Sequence, residues 1–191
     1  MSGAQSGVTG NDTGTGVWHT LNDMRDGSWF AATGEPATAG ELAEAELYLA
    51  GLGYSAIEIV WLADWDAART ASQRADWDRD WWEREQAMQR EMYATAQSLL
   101  GETALLRHLT VVTEGAARLL HGPAAVAAAR AGVADSGLIR AAAGSAAQAC
   151  YQAALNRFAG GSAEHCFEAK LRLFMAGRWP LTLARGRFHI F

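Results

Sequence analysis

The sequence predicts a mainly α fold: one helical, bundle-like domain that closes on a small C-terminal β-hairpin. Three observations carry this. Alanine and leucine dominate the apolar residues, whereas isoleucine occurs only at Ile57, Ile59, Ile139 and Ile190, a balance that favours helix over sheet. The stretch from Tyr54 to Leu100 holds neither Gly nor Pro, although the chain carries 20 glycines. The last thirteen residues, by contrast, are two short runs of strand-favouring residues around a turn. At 191 residues the chain fits a single domain.

Residues 1–16 are rich in Gly, Ser and Thr and too polar to bury anything, so they read as a disordered tail, with the folded domain spanning 17–191. They lack the basic and apolar regions of a signal peptide. From Trp18 to Pro36 the turn signals Asp26-Gly27 and Gly34-Glu35-Pro36 imply irregular chain or a short helix, anchored by Trp29 and Phe30. Thr38-Ala-Gly-Glu41 is a capping box opening a helix to about Ala50, stopped at Gly51 or Gly53. Leu42, Ala45, Leu49 and Leu52 share its apolar face.

Ser55-Ala-Ile-Glu58 reads as a second capping box, at the head of the Gly- and Pro-free stretch. Without breakers, that stretch is expected to be one long helix or two helices meeting end to end. A single straight helix there would be about 69 Å long, too long for a domain of this size. The apolar stripe through Trp61, Trp65, Ala68 and Ala75 is also out of phase with that through Trp77, Trp81, Met88, Met92 and Leu99. A kink or break is therefore expected between residues 69 and 77.

A helix from Glu102 to about Leu120 is expected to stop at His121-Gly122, where Gly supplies a left-handed cap before Pro123 opens a short Ala-rich helix to Val133. Asp135 or Ser136 caps the next helix, which runs to Ala159 and ends at Gly160-Gly161. Its small side chains at Ala141–Ala149 allow close approach on every face, which places it centrally. Ser162 is the expected cap of a helix from Ala163 to Ala176, ended by Gly177. The hairpin pairs Trp179–Leu183 with Arg187–Phe191, and must pack on helices because a lone hairpin is marginal in water.

Charge is unevenly spread. Residues 1–101 carry 16 acids and 6 bases, and residues 102–191 carry 5 acids and 10 bases, for a net charge of −5. The basic half lacks dense Lys/Arg clusters, which argues against nucleic-acid binding. No apolar run approaches the ~20 residues of a membrane span. Two cysteines, Cys150 and Cys166, make neither a disulfide scaffold nor a CxxC pair, so the expectation is a reduced, cytoplasmic protein. Fifteen arginines against one lysine, with abundant Ala and Gly, fit a GC-rich bacterial genome.

No motif for phosphate binding, a serine nucleophile or zinc is present. Asp76-x-Asp78-x-Asp80 fails as a calcium loop, since Trp81 and Ala87 stand where Gly and Glu are required. No metal and no cofactor is expected. Cys166, beside His165 in the first turn of a helix, is a nucleophile candidate against the plainer reading of a small core residue. The strongest clue is tryptophan interleaved with aspartate: Trp77, Trp81 and Trp82 with Asp78 and Asp80. Trp81 and Trp82 are consecutive, so both cannot face one core, and at least one of the three is expected at the surface.

The expected function is accordingly a small helical binding protein, of the kind an immunity protein, antitoxin or regulatory subunit represents, whose acidic Trp-rich helix engages another protein. The alternative is a helical enzyme or ligand-binding protein with a Trp-lined pocket for a small cationic or aromatic ligand. Its polar groups would be Glu58, His108, Glu114 and His121.

Overall fold

The computed structural model describes residues 12–191. The elements are α1 (Asp12–Asp26), α2 (Ala39–Gly51), β1 (Glu58–Trp61), α3 (Trp65–Ser72), α4 (Arg79–Leu100), α5 (Glu102–Leu119), α6 (His121–Arg130), α7 (Ser136–Phe158), α8 (Cys166–Met175), β2 (Pro180–Ala184) and β3 (Arg187–Ile190). The fold is mainly α with a small sheet built on the C-terminal hairpin. Of the expected tail, residues 1–11 lie outside the described residues, and 12–16 already belong to α1. None of the described helices is long and apolar enough to cross a membrane.

Local chemistry explains most boundaries. Thr38 and Glu41 close the capping box on α2, the Thr hydroxyl accepting from the Glu41 N–H at 3.2 Å and the carboxylate from the Thr38 N–H at 2.7 Å. Glu41 also grips Arg178, which donates through Nε at 2.8 Å and Nη2 at 3.0 Å. The same guanidinium donates to the carbonyls of Glu35 and Pro36, each at 2.8 Å, and so clasps the loop before α2 onto the end of α8. Asp135 caps α7, accepting from the N–H groups of Gly137 and Leu138.

Helix α7 is central, as its small side chains imply. Ala142, Ala146, Ala149 and Ala153 are fully buried, and the helix packs against α1, α4, α5, α6 and α8. A second apolar cluster lies between α2, α8 and the sheet, built on Tyr48, Phe167, Leu173, Leu183, Phe188 and Ile190. At the hairpin, Phe188 and Ile190 are fully buried, and Trp179 is 2% exposed.

Four expectations are corrected. The Gly- and Pro-free stretch is not helical throughout: Ser55–Glu58 caps nothing, and Glu58–Trp61 is strand β1. It pairs in parallel with β3, giving a three-stranded sheet in the order β1-β3-β2, with Ile59 opposite Phe188 and Trp61 opposite Ile190. Within β1, Ile59 and Val60 are β-branched and Trp61 is aromatic, residues that suit a strand when a distant partner is available. The break expected between residues 69 and 77 is present, since α3 ends at Ser72 and α4 begins at Arg79. Second, Gly122 is not a left-handed cap. Gly122 and Pro123 sit in the first turn of α6, where the N–H that proline lacks would be unpaired anyway, and buried Leu120 pins the junction. Third, the Ser162 hydroxyl accepts from the Glu164 N–H in a local turn and does not cap α8. His165 caps α8 instead, Nδ1 accepting from the Phe167 N–H at 3.2 Å. Fourth, Leu42 is 39% exposed and Tyr48 takes the inward place on α2.

Candidate functional site

The turn between α3 and α4 carries the tryptophan cluster. Its backbone is laid against the hairpin: Trp77 forms an antiparallel bridge with Ala184, and the Asp78 N–H donates to the Leu183 carbonyl at 2.7 Å. Asp78 then caps α4, its carboxylate accepting from the Trp81 N–H at 3.0 Å and from the Tyr54 hydroxyl at 3.4 Å. Consecutive helical residues point about 100° apart, so Trp81 and Trp82 diverge. Trp81 turns into the core at 9% exposure, edge-on to Phe188, and its indole N–H donates to the Tyr48 hydroxyl at 3.1 Å. Trp82 turns out, 48% exposed, and meets Trp77, 37% exposed, with ring centroids 6.4 Å apart and planes at 83°. That is the edge-to-face arrangement favoured by aromatic quadrupoles.

Beside this pair runs an open groove of about 630 Å³. Trp77, Trp82, Trp179, Leu181, Ala71 and Ala141 give it apolar walls; Arg74, Arg79 and Glu83 give it charge. The expected aspartates are placed differently. Asp78 is committed to capping, Asp80 is exposed in the first turn of α4, and neither lines the groove. The charges at its wall are two arginines and a glutamate, none of which the interleaving of Trp and Asp singles out. Arg74 is anchored by Asp76, donating through Nη2 at 2.8 Å, and the Arg74 and Arg185 guanidiniums hold the Asp76 carboxyl below the usual carboxylate range.

Beneath Trp81 lies a buried polar chain. The Tyr48 hydroxyl donates to Glu85 Oε1 at 2.9 Å, and the Lys170 ammonium donates to the same oxygen and to Gln152 Oε1 at 3.2 Å. Glu85 and Lys170 are 4% and 7% exposed. Burial, with the Glu85 charge next in effect, pushes the Tyr48 phenol well above its ordinary pKa, so it stays a neutral donor. The chain fixes the floor under the groove and does not open onto it.

The four polar groups of the enzyme alternative do not meet. Glu58 lies on the outer strand of the sheet, exposed and paired with Arg187 at 2.8 Å. His108, half-buried on α5, packs its ring against Phe158 with centroids 5.5 Å apart, and its Nδ1 has no partner among the described residues. Glu114 is exposed and pairs with Arg118 one turn on at 2.7 Å, and His121 is exposed at the start of α6. Cys166 is not an activated thiol. Its sulfur lies 3.2 Å from Met88 Sδ, and burial pushes its pKa up to about 12, overriding the helix terminus. Cys150 is likewise buried, its thiol pushed up to about 12. Among the described residues, no three His, Cys, Asp or Glu side chains come together as a metal site.

The sequence matches no known protein-family model, and no curated protein or solved structure is significantly similar to it.

Proposed function

We propose that this is a binding protein that takes hold of a partner protein through the Trp77–Trp82 groove, the role an immunity protein, antitoxin or regulatory subunit fills. One observation carries the reading: two large aromatic rings stand half-exposed against each other, whereas Trp29, Trp65, Trp81 and Trp179 are all at 9% exposure or less. Exposed tryptophans clustered over an apolar groove have the composition of an interface anchor. Arg79, Glu83 and Asp80 around it supply the mixed charge that orients an incoming partner and sets its association rate. Both cysteines are free, which suits a reducing compartment such as the cytoplasm.

The test is affinity capture of the partner, followed by titration with three variants. Trp77→Ala and Trp82→Ala should each weaken binding by about 2 kcal/mol or more, roughly 30-fold, with little change in Tm. Trp81→Ala should act mainly on stability. Full affinity in both Trp77→Ala and Trp82→Ala would refute the reading.

The groove volume favours one second reading, since about 630 Å³ lies within the range of small-molecule pockets. An aromatic ligand fits its walls better than a cationic one, because Arg74 and Arg79 line it. Quenching of Trp77 and Trp82 fluorescence by a small aromatic compound, lost in Trp82→Ala, would support this version.

A further inference from the structure

We propose that the concavity at the β2–β3 turn is a binding site for a tetrahedral oxyanion of the phosphate class, held by Arg74, Arg185 and Arg187 beside His189. The site shares Arg74 with the wall of the tryptophan groove but does not depend on the groove reading. It is a hollow of about 310 Å³, lined by those four side chains and Ala184. The three guanidiniums arrive from separate segments: the turn after α3, the hairpin turn, and β3.

Their protein partners leave most of their donors unused. Arg74 gives Nη2 to Asp76 at 2.8 Å, Arg185 gives Nε to the same Asp76 oxygen, and Arg187 gives Nε to Glu58 at 2.8 Å. Among the described residues, three cations thus share two carboxylates, and each guanidinium has a single nitrogen engaged by an acid. Two further nitrogens, Arg74 Nε and His189 Nδ1, are buried with no partner among the described residues. Orphaned buried polar atoms are rare in folded proteins and call for an explanation. A planar carboxylate addresses one guanidinium fork well; a tetrahedral dianion offers oxygens in several directions at once, which three forks can meet.

Backbone conformation points the same way. Arg185 sits at φ 51°, in the left-handed region, followed by Gly186 at φ 69°. A two-residue hairpin turn of this kind favours Asn or Asp before Gly. A long cationic side chain stands there in backbone that disfavours it, and its position is the rim of this hollow. Burial lowers the His189 pKa below its ordinary value, and Arg74 and Arg187 push the same way against Asp76 and the Thr182 backbone. A bound anion opposes the arginine effect and must raise that pKa, a response that a purely structural cluster lacks.

The test is titration of the full chain at low ionic strength with inorganic phosphate and, separately, phenyl phosphate, followed by calorimetry and by NMR of the His189 ring. Saturable binding at about 1 mM or tighter is expected, with an upward shift of the His189 pKa on saturation. Arg185→Gln and Arg187→Gln, at exposed positions that leave the core untouched, should each weaken it about tenfold. Arg107→Gln, which removes the same charge from exposed α5 surface, should leave it unchanged. Phenyl phosphate binding tighter than phosphate would identify an aryl ester reaching past Arg74 into the tryptophan groove; equal affinities would identify the free anion. No saturable binding of either probe, an unmoved His189, or equal weakening by Arg107→Gln would overturn the proposal.

Discussion

Replacing Lys170 by methionine tests the buried chain beneath the tryptophans. In the folded protein the Lys170 ammonium is one of two donors to Glu85 Oε1, the other being the Tyr48 hydroxyl, and both members of the ion pair are over nine-tenths buried. Methionine fills nearly the same volume but removes the charge, so among the described residues the carboxylate keeps only the neutral hydrogen bond from Tyr48. Stranding one partner of a buried ion pair costs about 3–5 kcal/mol. For a protein of this length each kcal/mol moves Tm by about 2–4 °C, so the expected drop is roughly 6–20 °C. The double variant Lys170→Met/Glu85→Leu removes both charges, leaving the Tyr48 hydroxyl, which still accepts from Trp81, without its acceptor and Gln152 Oε1 without its donor. It should recover to within about 2 kcal/mol of the parent, so that, with each single variant losing about 3–5 kcal/mol, the coupling is about 4 kcal/mol or more. Urea denaturation followed by circular dichroism and tryptophan fluorescence measures both, provided the slope with denaturant is unchanged. A Lys170→Met loss below about 1 kcal/mol, or strictly additive single and double variants, would refute the argument.

Three further outcomes follow from the packing. Trp81→Ala should cost about 3–5 kcal/mol through the cavity it leaves, whereas Trp77→Ala should cost under about 1.5 kcal/mol because its ring already meets solvent; equal losses in thermal melts would contradict the exposures. Gly177→Ala should be strongly destabilising, because φ is +95° there and a Cβ would stand 2.6 Å from the Ala32 backbone nitrogen; an unchanged Tm would show that this approach is looser than described. The α7 cap should be acid-sensitive. The N–H groups of Leu138, then Gly137, with Arg69 hold the Asp135 carboxyl below its unfolded pKa. Its contribution is therefore present above the unfolded value of about 4 and is lost as pH falls through the folded one. Asp135→Asn keeps a capping acceptor without the charge and should flatten that part of the acid unfolding curve; an identical curve would remove Asp135 from it.

How far the sequence discloses this molecule depends on the range of the interaction. Helix α7, the capping box at Thr38, the break before α4 and the hairpin rest on contacts within a few residues, and all were legible. Strand β1 was not, because Ile59, Val60 and Trp61 become strand only against a partner far along the chain, and absent breakers made helix the local answer. At the site, the adjacency of Trp81 and Trp82 disclosed that one ring would face out. What flanks that ring was hidden, since Asp78 answers the local demand for a helix cap before any partner is met. Lys170 stood out only as the lone lysine, and its pairing with Glu85 across α4 and α8 has no local signal. The meeting of Arg74, Arg185 and Arg187 is equally a product of the sheet.

The order of strands also sets a timetable for synthesis. β3 is the middle strand, so β1 and β2 are joined only through it, and Glu58 finds Arg187 across 129 positions. At the usual pace of translation, β1 waits about 6–26 s after it is made before its neighbour exists. During that interval the apolar run Ile59-Val60-Trp61 has no strand to pair with, and unpaired apolar segments are prone to associate with other nascent chains. The helices between them can form in that time, but β3, which closes the sheet, follows them all. Yield from the cell should therefore respond to slower elongation and to chaperone supply far more than the stability of the finished protein would suggest.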